Sequence, residues 1–230
     1  MKTLALDADD TLWENIDFFL KAQTGLCELL KDYVCPEDVE SKLFAKESQN
    51  VPLYGYGTKS FVLSMVELAI ELAGERLPNQ TVLKIHQLGR DILQHPVHLL
   101  PGVEENVPIL AKKYRLIVAT KGEILEQEQK LERSGLKPYI QFMHVMSNKR
   151  VEDYARLLDL LNVEPEDFVM VGNSLKSDVL PVVELGATGV YIPHHYTWEH
   201  ECVAPEHAES YNYIQLDSFG DLPAALDRFP

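Results

Sequence analysis

The short apolar run from Thr3 to Leu6 stops abruptly at Asp7-Ala8-Asp9-Asp10-Thr11. An apolar stretch of this length, bounded by polar residues, reads as a strand buried on both faces of a sheet. Its carboxyl end then delivers acid groups to a crevice.

The pattern changes after it. Phe19, Ala22, Leu26, Leu29, Leu30 and Tyr33 recur at helical spacing, as do Phe61, Met65, Leu68, Ala69 and Leu72, and again Val82, Ile85, Gly89, Ile92 and Leu93. Pro36-Glu37-Asp38 suits a first helical turn, where proline is tolerated and acids complement the helix dipole. Breakers at His95-Pro96 and Pro101-Gly102 close this stretch.

Strands and helices alternate from there on: a strand at Leu116–Ala119, a helix at Glu123–Arg133 ended by Gly135, a strand at Phe142–Met146 and a helix at Val151–Leu161. A strand at Phe168–Val171, a helix reaching Leu185 and a strand at Val190–Ile192 follow. Such alternation implies parallel pairing through right-handed crossovers. The fold class expected is α/β, a doubly wound, Rossmann-like parallel sheet with an all-helical unit inserted after the first strand. The domains expected are a core of residues 1–14 and 97–230 and an insert of residues 15–96. Ligands of such sheets bind beyond the carboxyl ends of the strands.

Four places at those strand ends carry chemistry: Asp7 to Thr11, Thr120-Lys121-Gly122, Lys149, and Gly172-Asn173-Ser174 with Ser177-Asp178. A carboxylate can attack phosphorus and hold the group covalently, which divides one difficult displacement into two easier ones. Asp7 has the position for that. A second carboxyl two residues on faces the same side of an extended chain and can act as acid and then base, a role that fits Asp9. Two like charges about 4 Å apart repel by roughly 4 kcal/mol at an effective dielectric near 20, so a phosphate approaching Asp7, Asp9 and Asp178 needs cations between them. Oxygen ligands favour a hard ion that keeps waters, which points to magnesium. Lys149 would neutralise Asp7 and the transferring group, while the Thr120 hydroxyl, Lys121 and nearby amides cradle phosphate oxygens.

In this order the four places resemble the motifs of the haloacid dehalogenase-like superfamily of phosphohydrolases. The resemblance implies Asp7 as nucleophile and Asp9 as acid–base residue, with catalytic parts for Thr120 and Lys149. It implies phosphate contacts from Thr120, Lys121 and Lys149, and a magnesium site made by Asp7, the Asp9 carbonyl, Asn173 and Asp178. Relatives acting on carbon–halogen bonds lack the second aspartate, so Asp9 favours phosphate esters. Many relatives carry aspartate where this chain has Asn173, which leaves open whether Asn173 or Asp178 touches the ion. The resemblance also makes the insert a cap, hinged near Leu12 to Glu14 and Gln94 to Leu100. Substrate choice then falls to the cap, with Tyr54, Tyr56 and Lys59 as candidates.

The function expected is magnesium-dependent hydrolysis of a small, soluble phosphorylated metabolite through an aspartyl phosphate. A phosphosugar mutase using the same intermediate and a catalytically silent binding module are the alternatives. With 36 acidic against 21 basic residues and a net charge of -15, neither nucleic acid nor an anionic membrane is an expected partner. Three cysteines without CxxC spacing fit a reducing, cytoplasmic setting, and no run approaches the roughly 20 apolar residues of a membrane span. The segment from His194 to His207 holds possible metal ligands but matches no tight template, and an ordered surface loop or subunit contact is the plainer reading.

Overall fold

A computed structural model describes residues 1–228. Its centre is a six-stranded, fully parallel sheet in the order β3-β2-β1-β4-β5-β6, with β1 at Thr3–Leu6, β2 at Arg115–Thr120, β3 at Phe142–Val145, β4 at Phe168–Gly172, β5 at Thr188–Tyr191 and β6 at Ile214–Gln215. The chain thus folds as a doubly wound, Rossmann-like α/β sheet. β1 lies in the middle, with β2 on one side and β4 on the other, and the winding reverses at that point.

The strands read as continuous apolar runs because both faces are covered. Leu4 and Leu6 of β1 share one core with Leu116, Val118, Val169 and Val171. Ala5 shares the opposite core with Ile117, Ala119, Phe168 and Met170. The helix at Val103–Leu110 contributes Val103, Val107 and Leu110 to the first core, and the helix at Leu222–Leu226 adds Leu222 and Leu226. The helix at Val151–Leu161 covers the second with Tyr154, Leu157, Leu158 and Leu161.

The chain divides into two compact units. One comprises Met1–Ile16, Val97–Lys121 and Glu128–Pro230, of which residues up to 228 are described; the other comprises Asp17–Pro96 with Gly122–Gln127. The second is helical: α1 at Ile16–Leu30, α2 at Pro36–Tyr54, α3 at Thr58–Ala73 and α4 at Asn79–Gln94. Its core joins Ala22, Leu26 and Leu30 of α1 to Met65, Leu68 and Ala69 of α3 and to Ile85 and Ile92 of α4. Pro36 begins α2 as the sequence suggests.

Between α2 and α3 the backbone turns through Gly55 (φ 79°) and Gly57 (φ 123°), a left-handed region that side chains disfavour. The amides at the start of α3, which have no partner within the helix, then find carboxylates. Thr58 N and Oγ1 donate to Glu126, at 3.3 and 3.0 Å, and Lys59 N donates to Glu123 at 3.1 Å. Acid groups there satisfy orphan donors and complement the dipole.

Two features differ from the sequence reading. The helix expected to reach Leu185 is two pieces, a π-turn at Leu175–Val179 and a short helix at Leu180–Glu184. A sixth strand, only two residues long, extends the sheet past β5.

Candidate active site

β1 ends at Leu6, and the next amide, Asp7 N, donates to Val171 O of β4 at 2.8 Å. That bond holds Asp7 at the point where the winding reverses, which is where doubly wound sheets bind ligands. Lys149, in the loop after β3, is buried and donates to Asp7 Oδ1, and to Asp178 Oδ1 at 2.6 Å. Thr11 Oγ1 faces Asp7 Oδ2 at 3.4 Å and Asn173 Oδ1 at 3.2 Å. The structure therefore gathers Asp7, Thr11, Lys149, Asn173 and Asp178 in one place.

Asp178 owes its position to the π-turn and to Gly172. Its Oδ2 accepts the Ser174 amide at 3.0 Å. A Cβ on Gly172 would stand 2.2 Å from that same oxygen, so only glycine lets the carboxylate fold back against the strand. π-turns often mark such functional positions.

Electrostatics sets the character of the cluster. Burial drives the Asp7 carboxyl up to about 7; the Lys149 ammonium opposes this and the Asp178 charge adds to it. Burial disfavours the Lys149 ammonium, yet Asp178 and Asp7 outweigh that penalty and hold its proton well above the usual lysine range. One cation answers two carboxylates.

The other expected residues lie as follows. Thr120 ends β2, is buried, and its hydroxyl donates to Lys121 O at 3.2 Å. The Lys121 ammonium pairs with Glu201 and donates to Ser177 Oγ at 3.0 Å. The Asp9 carboxylate accepts Trp13 Nε1 at 2.8 Å and Lys130 Nζ at 3.0 Å. Tyr54, Tyr56 and Lys59 belong to the helical unit, where Lys59 pairs with Glu123.

Asp10 adopts a left-handed φ of 60°, which Asp tolerates better than most residues. Its carboxylate accepts the amides of Asn15 (2.9 Å) and Ile16 (3.1 Å) where α1 begins. Burial carries Asp10 up to about 6 against those two bonds.

Two charged residues were not legible beforehand. Lys130, 2% exposed, holds both Asp9 and Asn15 Oδ1, the latter at 2.7 Å. It lies on the helix Ile124–Arg133, whose conspicuous apolar pair Ile124 and Leu125 faces outward at 63% and 59% exposure. A reading by apolar spacing therefore puts the wrong face inside. Glu201 lies in the His194 to His207 segment read as a surface loop with possible metal ligands, and nothing in its spacing separates it from Glu199 or points to Lys121.

As for a metal, no group of three or more His, Cys, Asp or Glu side chains is gathered among the described residues. The donors near Asp7 are oxygens of another mixture: the carboxylates of Asp7 and Asp178 and the Asn173 amide oxygen. Such a set suits a hard cation that retains waters rather than zinc.

A doubly wound parallel sheet with a carboxylate at its switch point, answered by a buried lysine from the loop after β3, defines the class: an α/β protein with a candidate active site at its strand ends. The family model of the haloacid dehalogenase-like hydrolases matches residues 1–186, and the chain belongs to that family. It is an enzyme of the hydrolase class.

The haloacid dehalogenase-like family hydrolase of Xanthomonas campestris is 35% identical, covering 99% of this chain and 91% of its own, with a TM-score of 0.87. The pyrimidine 5'-nucleotidase YjjG of Escherichia coli (strain K12) is 26% identical over 211 residues, 86% of this chain and 89% of its own length. The hydrolase YfnB of Bacillus subtilis, bound to magnesium, shares the fold at TM-score 0.65 with 16% identity, covering 98% of each chain. No helix among the described residues is long and apolar enough to cross a membrane.

Proposed function

We propose that the chain is a magnesium-dependent phosphatase that hydrolyses a small soluble phosphomonoester through an aspartyl phosphate on Asp7. The observation that carries this reading is the Asp7 carboxylate at the sheet's switch point, bridged through Lys149 to Asp178. A carboxylate so placed can act as a nucleophile, and an ammonium beside it can neutralise the charge of an incoming phosphoryl group.

The chain's own groups divide the work as follows. An Asp7 oxygen forms a bond to phosphorus while the bond from phosphorus to the leaving oxygen breaks. The Asp9 carboxyl turns from Trp13 and Lys130 and gives its proton to that leaving oxygen. The regained carboxylate takes a proton from water, whose oxygen attacks phosphorus and frees Asp7. Lys149, Thr120 and Lys121 hold the phosphoryl oxygens, and Thr11 keeps Asp7 and Asn173 in register. Asp7, the Asp9 carbonyl, Asn173 and Asp178 would hold magnesium, which when bound supplies the positive charge that Lys149 alone cannot match against two carboxylates.

The helical unit serves as a cap that excludes bulk water and selects the leaving group, with Tyr54, Tyr56 and Lys59 as contacts. Among small phosphomonoesters a nucleoside 5'-monophosphate is the first class to try, because the E. coli relative that spans most of the chain is a nucleotidase. Three free cysteines fit a cytoplasmic setting.

The test is turnover. A panel of phosphorylated metabolites with phosphate detection, run with and without magnesium, yields magnesium-dependent release of phosphate. Asp7→Asn lowers that release on the order of 10³-fold or more while circular dichroism stays native. A wild-type rate in Asp7→Asn ends the proposal.

A further inference from the structure

The stretch joining β5 to β6 lies beyond residues 1–186, the part that the family model matches. It nevertheless returns to the strand ends. His194 Nε2 stands 3.9 Å from Asp10 Oδ1, and Lys176 Nζ donates to His200 O at 2.7 Å. At the second tie a 3-10 turn at Glu199–Glu201 turns the Glu201 carboxylate inward.

That carboxylate has three side-chain donors. The Lys121 ammonium pairs with Glu201 Oε1, and the hydroxyls of Ser174 and Ser177 both donate to Oε2. The side chains of Lys121 and Glu201 are only 17% and 14% exposed. The donors also bind one another: Lys121 Nζ donates to Ser177 Oγ at 3.0 Å and Ser177 N to Ser174 Oγ at 3.0 Å. Ser177 O accepts the buried Tyr154 hydroxyl at 3.0 Å. One glutamate thus fastens the residue after β2 to the turn after β4.

The turn after β4 leads straight to the reacting centre. The Ser174 hydroxyl is bound by Glu201, while its amide binds Asp178 Oδ2, whose other oxygen accepts from Lys149. Lysine is a long, flexible side chain with a compact charge, and a partner that fixes it decides where that charge lies.

We infer that Glu201 is a positioning residue, which sets the Lys121 ammonium and the Ser174–Asp178 turn for binding of the phosphoryl group. This rests on the phosphatase reading above. Burial works against the Glu201 charge, but Lys121 and the two serines hold its carboxyl down at about 2, so the tie persists at any working pH.

Supporting groups of this kind change affinity or activity by about 10- to 100-fold when removed. Glu201→Ala therefore raises both KM for the best substrate and the inhibition constant of inorganic phosphate by about tenfold or more, with a smaller fall in kcat. Glu201→Gln, which can still accept from the serines, falls between Ala and wild type. Lys121→Met raises the same constants, and Lys121→Met on top of Glu201→Ala adds at most about twofold, because the two act as a unit.

A role confined to stability lowers the melting temperature and leaves KM and the phosphate constant within twofold of wild type; that result overturns the inference while the phosphatase reading stands. Fully independent, multiplicative effects of the two substitutions overturn it too. Wild-type protein that releases no phosphate from any ester removes the phosphatase reading, and this inference with it.

Discussion

Lys149 and Lys121 both follow strands of one parallel sheet, β3 and β2, and the fold surrounds them differently. Lys149 is enclosed with two carboxylates, Asp7 and Asp178, and their shared negative excess is left for another cation or for a proton on Asp7. Lys121 pairs with the carboxylate of Glu201, whose other oxygen is taken by two hydroxyls. The first cluster is open in charge and suited to chemistry. The second is closed in charge and suited to holding a shape. Both use an ion pair largely withdrawn from solvent, so the presence of such a pair says little until its charges are counted.

The sharpest way to break the comparison is Lys149→Met. Two buried carboxylates then face each other without a cation, and unmatched buried charge destabilises by about 3–5 kcal/mol. Thermal unfolding near neutral pH reads this as a large fall in melting temperature, partly restored by added magnesium. An unchanged melting temperature contradicts the open-charge description.

Gly172→Ala acts next. Its new Cβ meets Asp178 Oδ2 at 2.2 Å, so the carboxylate must leave its place. Magnesium affinity by calorimetry falls about 10- to 100-fold with the sheet otherwise intact.

The closed cluster gives a pH signature. Glu201 is held at about 2 against an ordinary 4.5. A depressed carboxyl contributes stability that is complete above pH 4.5 and is lost as pH falls through 2, by linkage about 3 kcal/mol. Wild type therefore exceeds Glu201→Gln in stability at pH 6, and the two denaturation curves converge toward pH 2. A gap of constant size across that range excludes the charge as its source.

Smallest is Lys113→Met, which removes an exposed pair with Asp227 at 2.6 Å. Exposed pairs contribute little, and no measurable shift in melting temperature follows. A clear loss there would blur the contrast between buried and exposed pairs.

Strand ends and helical spacing made the first five strands, the helical insert after β1 and most of the Asp7 cluster legible, though not the helix Val103–Leu110. Apolar periodicity is written along the chain itself, as Leu4 and Leu6 against Ala5 show. Asp7, Lys149 and Asp178 could be found because each follows a recognisable strand. Glu201 and Lys130 could not, since a charge becomes buried only when a distant partner makes burial tolerable. The π-turn that aims Asp178 was hidden for a similar reason: local residues there suit an ordinary helix, and Gly172 with Ser174 decides otherwise. β6 was missed because two residues carry no period.

That shortness has a use. A sheet margin with free amides and carbonyls is a template on which another chain can add itself, and natural proteins blunt such margins. With only Ile214 and Gln215 in β6, the outer side of β5 is covered by a strand too brief to offer an incoming chain a ladder worth continuing. The same pair that barely enlarges the sheet thereby shields it from growing into its neighbours in crowded solution.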